Sequence, residues 1–130
     1  MAIPFKDNVD QSGVTPVLAL VLLHAVTNLH ILHWQSKSFA QHVTLGELYS
    51  AVEETTDEFV EAYMGKYGQL DNLPEFYSAP NSDPVKEVET LYDHITALRQ
   101  ELPQDSELQQ LVDNIVDSLD SALYKLRFLK

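Results

Sequence analysis

Gly68-Gln-Leu-Asp-Asn-Leu-Pro-Glu-Phe-Tyr-Ser-Ala-Pro-Asn-Ser82 separates two halves of the chain that are both helical in pattern. The stretch is rich in Gly, Pro, Asn and Ser and carries no apolar period, so it reads as a link between elements. Fifteen residues can reach on the order of 50 Å when extended, and a twenty-residue helix is about 30 Å long. Such a link can cross a helical bundle from end to end. The alternative is an up-and-down bundle in which the same stretch is only a surface loop.

Two helical patterns precede the link. The first opens with Thr15 as N-cap and Pro16 at the first helical position, where the missing N–H costs nothing, and runs to about Gln35. The second opens with a capping box, Thr44-Leu-Gly-Glu47, with Val43 and Leu48 set for a hydrophobic staple, and ends near Gly65 to Gly68. Beyond the link, Asp83-Pro84 announces a third helix. It carries Val85, Val88, Leu91, Tyr92, Ile95 and Leu98 at three- and four-residue spacing until Leu102-Pro103 stops it. The fourth follows Asp105-Ser106, with Gln109 completing a capping box on Ser106 and a stripe through Leu108, Leu111, Val112, Ile115, Leu119, Ala122 and Leu126. The first–second and third–fourth links are short, which makes antiparallel neighbours. The expected fold is all-α: a ferritin-like four-helix bundle of two antiparallel hairpins joined by a long crossover at 68–82. One domain spans 1–130, with 1–14 as an N-terminal extension.

A hydrophobic content of 45% in 130 residues suffices for a real core. With no cysteine, thiolate sites and disulfides are excluded, and any metal must be held by His and carboxylate. The net charge is −12 and the eight basic residues are scattered along the sequence, which argues against nucleic acid, because that affinity rests on Lys and Arg neutralising phosphates. The longest apolar run, Val17 to Leu32, is interrupted by His24, Asn28 and His30 and reads as a buried helix, not a membrane span. No secretory signal pattern opens the sequence, so the expected compartment is the cytoplasm.

Within this frame His33, beside Trp34, and His42 are followed by Asp57 and Glu61, two carboxylates one helical turn apart. At i and i+4 they share a helix face and repel unless a cation lies between them. Imidazole with carboxylate suits Fe(II), Zn(II) or Mn(II). On a helical wheel Leu48, Val52, Thr55, Phe59, Ala62 and Tyr63 face the core, whereas Glu54, Asp57 and Glu61 face away. A site made by one chain is thus disfavoured. The first helix is apolar all round, with Val17, Val21, His24, Asn28 and Ile31 on one face and Leu22, Val26, Leu29 and His33 on another. It needs two partners, and a second subunit is the simplest cover for one side. In a symmetric homodimer His33 and His42 of one chain can face Asp57 and Glu61 of its mate. Glu54 and His30 are weaker candidates. The plainer readings are a core histidine on a backbone carbonyl for His33 and a solvated acidic face for Glu53, Glu54, Asp57, Glu58 and Glu61. His94 with Tyr92, Asp93 and Asp117 is a separate intrachain candidate.

These residues resemble the Dps-like branch of the ferritin-like proteins. The resemblance rests on the His33-Trp34 pair, Phe39-Ala-Gln-His42, the Asp57 and Glu61 spacing, and the ending Asp117-Ser-Leu-Asp120-Ser-Ala-Leu-Tyr-Lys-Leu-Arg-Phe-Leu129. It implies Fe(II) oxidation by oxygen or peroxide, with histidines from one subunit and carboxylates from its two-fold partner, in a dimer that can assemble further. The chain departs from the family in the closer His33–His42 spacing, in Gly46 where an Asp often stands, in lacking a crossover helix, and in lacking a Lys-rich extension for DNA. The alternative function is a non-catalytic dimerising scaffold.

Overall fold

The computed structural model describes residues 13–130. Most of the expected N-terminal extension, residues 1–12, therefore lies outside the described residues. Among the described residues there are four helices and no strand: α1 (Val14–Gln35), α2 (Phe39–Tyr67), α3 (Pro84–Arg99) and α4 (Ser106–Phe128). α2 packs against α1 and α4, and α3 closes the ring between α4 and α1. One core runs through all four, with Leu22 and Leu29 of α1, Phe59 of α2, Ile95 of α3 and Leu119 of α4 fully buried.

Side-chain pairs fix the helix directions. Lys125 near the end of α4 reaches Glu47 near the start of α2 (3.4 Å), and Lys66 at the end of α2 pairs with Asp105 at the start of α4. Arg127 meets Glu89 early in α3 (2.8 Å), and Arg99 at the end of α3 meets Asp113 in α4 (2.6 Å). α4 thus runs antiparallel to both α2 and α3. Since α2 ends opposite the start of α3, the 68–82 link travels the length of the bundle. Leu70 shares a cleft with Gly13 and Pro16 at the start of α1, while Tyr77 and Ser78 are bonded to Asn28, farther along the same helix.

The ends of the helices depart from expectation in three places. α1 begins at Val14 with Gly13 as N-cap in the left-handed region (φ 70°), and Thr15 is fully buried inside the first turn instead of capping it. Pro16 still costs nothing there, since the first four helical N–H groups lack intrahelical acceptors. α2 starts at Phe39, five residues before the expected box, because Ser38 Oγ accepts from Gln41 N–H (3.0 Å) and Thr44 is buried. In α4 the N-cap is Asp105, and Gln109 instead donates to the Pro103 carbonyl (3.1 Å) and accepts from Arg99 Nε (2.7 Å). The Asp83-Pro84 start of α3 stands as read, with Asp83 Oδ1 accepting from Val85 N–H.

The Asp105 side chain makes no cap hydrogen bond because it is engaged elsewhere. Burial pushes its carboxyl up, but hydrogen bonds from Lys66 and from Tyr67 Oη (2.6 Å) outweigh burial and hold it below the ordinary carboxylate value. The hydrogen bond to Asp105 correspondingly raises the Lys66 ammonium.

α1 is long and apolar enough to cross a membrane by length and composition, yet Leu18, Leu22, Ala25, Leu29 and Leu32 are core residues. The assignment of its faces changes. The side carrying His24 and Asn28 is covered by the chain's own crossover, with Phe76 and Tyr77 edge-on to His24 and Ser78 bonded to Asn28. A second subunit is not needed on that side. On α2 the core face holds Thr56 where the wheel had put Thr55.

Candidate metal centre

The three-residue turn from α1 to α2 brings His33 and His42 together. Their rings stack at 3.8 Å between centroids and 20° between planes. Each Nδ1 lies on the other residue's backbone carbonyl, His33 Nδ1 on the His42 oxygen at 2.6 Å and His42 Nδ1 on the His33 oxygen at 3.0 Å. A carbonyl only accepts, so both Nδ1 atoms donate, and each neutral ring then carries its lone pair on Nε2. Metal-ligating histidines commonly have this arrangement, one nitrogen donating to a carbonyl and the other bare. Ser36 Oγ also donates to the His33 carbonyl (2.7 Å) and tightens the turn.

Gly46 explains how α2 comes so close. A Cβ there would lie 3.0 Å from Cε1 and 3.2 Å from Nδ1 of His33. The His33 imidazole stands against the space that a side chain at position 46 would need, so the ring would have to give way to admit one. Around the pair, Tyr49 stands edge-on to His33 (5.6 Å) and stacks on His30 (4.2 Å), and His30 in turn touches Trp34 (4.5 Å). His30 is thus part of an aromatic stack next to the pair, and Trp34 remains 69% exposed.

Asp57 and Glu61 sit elsewhere. Both are exposed on α2, about 22 Å and 28 Å along the helix from His42 at a rise of about 1.5 Å per residue. Among the described residues no three His, Asp or Glu side chains gather closely enough to hold a metal ion. The intrachain candidate around His94 does not assemble either: His94 lines a cleft with His24, Tyr92 and Asp93 line another with Asp120, and Asp117 lies on the α2/α4 side.

At the carboxylate end, a groove of about 750 Å³ that Asp57 itself lines runs along α1 and α2, with His24 also in its wall. Leu20, Leu23 and Val26 of α1, Val60 of α2 and Leu73 of the crossover supply apolar walls, and Glu53, Glu54 and Asp57 form an acidic rim. Leu23 is 52% exposed. Leu20, Leu23, Thr27, His30 and Trp34 follow one another at three- and four-residue spacing, so one outward stripe of α1 leads from this groove to the histidine end. Ser36 and Tyr49 escaped the sequence reading, which met Gly46 only as a departure from the family pattern. Placing the start of α2 at Ser38 would have put Gly46 and Tyr49 on the face that approaches the end of α1.

A family model spanning residues 33–126, from His33 almost to the end of α4, matches this sequence. The chain belongs to the family of unknown function DUF5856. All four candidate ligands of this DUF5856 chain fall inside the matched span. The chain is similar to an uncharacterized 14.6 kDa protein in the mobD-ri intergenic region of Enterobacteria phage T4, at 22% identity over 111 residues, which cover 84% of this chain and 81% of the phage protein. No solved structure matches it.

Proposed function

We propose that this DUF5856 chain is a ferritin-like protein of the Dps type that binds Fe(II) between two subunits and oxidises it. His33 and His42 of one subunit, with Asp57 and Glu61 of the other, would hold the iron, which is substrate here; Glu54 and His30 border the site. The observation that carries this reading is the separation of the two ligand pairs toward opposite ends of one partly apolar face. A two-fold axis through the middle of that face, near Leu23, Thr27 and Ser50, would bring the histidines of each chain toward the carboxylates of the other. The lengthwise crossover supports the ferritin-like topology, and the bare Nε2 atoms suit a metal. In the chemistry, two Fe(II) each give one electron to hydrogen peroxide, which takes up two protons and leaves as water; dioxygen is the alternative oxidant. Zn(II) and Mn(II) fit the same donors and would compete. The reading keeps the protein cytoplasmic, off membranes because α1 supplies the core, and off nucleic acid because the net charge is −12. The homodimer can assemble further.

The reciprocal bonds that secure the α1–α2 turn favour a second reading, a dimerising scaffold in which the histidines are structural. Anaerobic Fe(II) titration by calorimetry separates the two. His33→Ala with His42→Ala should abolish tight binding, as should Asp57→Ala with Glu61→Ala. Refolding the two double variants together should restore about a quarter of the sites, because random pairing makes about half of the dimers mixed and each mixed dimer carries one intact site of its two. Unchanged iron binding in the carboxylate variant, or no restoration in the mixture, refutes the intersubunit site.

A further inference from the structure

A second cleft lies between α1, α3 and the crossover, and shares His24 with the α1/α2 groove. Its volume is about 440 Å³, within the range of about 300–1,000 Å³ usual for small-molecule sites. Val21 and Ala25 of α1, Leu91 of α3 and Phe76 of the crossover give it apolar walls. Its titratable groups are His24 from α1 and Glu87 and His94 from α3. Asn28, which also lines the cleft, is fully employed in holding the crossover: its Nδ2 donates to the Ser78 carbonyl (3.0 Å) and its Oδ1 accepts from Tyr77 Oη (2.7 Å).

His24 is different. Its Nδ1 is buried and has no hydrogen-bond partner, a condition shared among the described residues only by Thr56 Oγ1. An unpaired buried polar atom costs stability, about 1–3 kcal/mol in general, and asks for a ligand or another explanation. Glu87 has one carboxylate oxygen accepting from Asn81 N–H at 2.7 Å, and its second oxygen is available. With its proton on Nε2, His24 keeps Nδ1 as an acceptor that is closed to solvent in this conformation, and a turn of the ring about its Cβ–Cγ bond is needed for a donor in the cleft to meet it beside the Glu87 carboxylate. An ammonium group has three donors and no acceptor, which is the complementary pattern. The charge of −12 raises the local concentration of cations further.

We propose that the cleft formed by α1, α3 and the crossover binds a primary amine on an apolar stem, the ammonium between His24 and Glu87 and the stem against Val21, Leu91 and Phe76. This site uses none of the four residues assigned to iron, although His24 also lines the α1/α2 groove.

The test is a ¹H–¹⁵N NMR titration of the full chain at pH 8 with n-pentylamine, and with pentanoate as its anionic counterpart, at near-physiological ionic strength. Pentylamine should give saturable shifts confined to residues around His24, Ala79 and Thr90, and pentanoate none. His24→Leu and Glu87→Gln should each weaken binding by about tenfold or more, equivalent to about 1.4 kcal/mol; the glutamine retains the acceptor for Asn81. Shifts that fail to saturate and spread over the acidic surface would reduce the effect to counter-ion association and overturn the proposal. So would equal affinity in the wild type and both variants.

Discussion

Replacing Gly46 and Gly65 by alanine, one at a time, tests whether the His33 imidazole is held against α2. Both glycines lie within the same helix, and alanine there gains up to about 1 kcal/mol in helix propensity. At Gly65 a Cβ meets nothing within 4 Å, so Gly65→Ala should stabilise the protein by about 0.5–1 kcal/mol, the lower end reflecting its place in the last turn. At Gly46 the new Cβ would press on His33 at 3.0 Å. The ring has little room to withdraw, because it stacks on His42 at 3.8 Å and donates to the His42 carbonyl at 2.6 Å. Overpacking of this kind costs about 1–3 kcal/mol, and a lost hydrogen bond about 0.5–1.5 kcal/mol. Setting about 2 kcal/mol of strain and lost bonding against about 1 kcal/mol of propensity leaves Gly46→Ala about 1 kcal/mol less stable than the wild type. The two variants should then differ by nearly 2 kcal/mol, or about 5–8 °C in Tm for a domain of this size. Thermal and urea denaturation followed by circular dichroism at one fixed protein concentration read the difference, the concentration being held because a dimer's stability depends on it. If Gly46→Ala stabilises as much as Gly65→Ala, the His33 ring does not occupy the space beside position 46 and the clasp is wrong.

Three further outcomes follow from other parts of the bundle. Because the Asp105 carboxyl is held below its ordinary value, its contribution to stability is present above an unfolded pKa of about 3.9 and is lost as pH falls through the lower folded value. The stability gap between wild type and Asp105→Asn should therefore be widest near neutrality and close in acid; a gap that widens as pH falls contradicts the assignment. The raised Lys66 ammonium acts in the other direction, keeping its contribution below an unfolded value of about 10.4 and losing it as pH rises through the folded one. Thr56→Val replaces a buried hydroxyl that has no partner by an apolar group of similar shape, and chemical denaturation should show it neutral or up to about 1 kcal/mol more stable. Asn28→Ala removes both hydrogen bonds that hold the crossover on α1. It should cost about 1–2 kcal/mol and raise amide exchange at residues 76–80 with little change in α2 and α4; protection unchanged there would show that the crossover is held by its aromatic contacts instead.

Local signals were legible where the chain decides its own conformation. Asp83-Pro84 starts α3 because proline fits the first turn and the Asp83 side chain finds the Val85 N–H without help from the rest of the molecule. The three- and four-residue spacing of Val88, Leu91 and Ile95, or of Leu108, Val112, Ile115 and Leu119, names the buried face of each helix, since helical pitch alone sets which side chains share it. The same signals misled where tertiary contacts competed for a side chain. Thr44 and Gln109 have the chemistry of caps, but the core and Arg99 took them, and Ser38 and Asp105 stand at the starts of α2 and α4 instead.

By itself the sequence determined that the protein is all-helical, that the fifteen residues of 68–82 are long enough to span a bundle, and that any metal must be met by nitrogen and oxygen donors. Those properties follow from periodicity, chain length and the absence of cysteine. Tertiary structure decided which faces are covered and which side chains meet. It laid the crossover over His24 and Asn28, closed the His33–His42 clasp over the space at Gly46, and left Asp57 and Glu61 too far along α2 to join that pair within one chain. The physical reason is that a helix fixes only the directions of its side chains, whereas their partners depend on how the helices are packed and on where the link between the hairpins comes to lie.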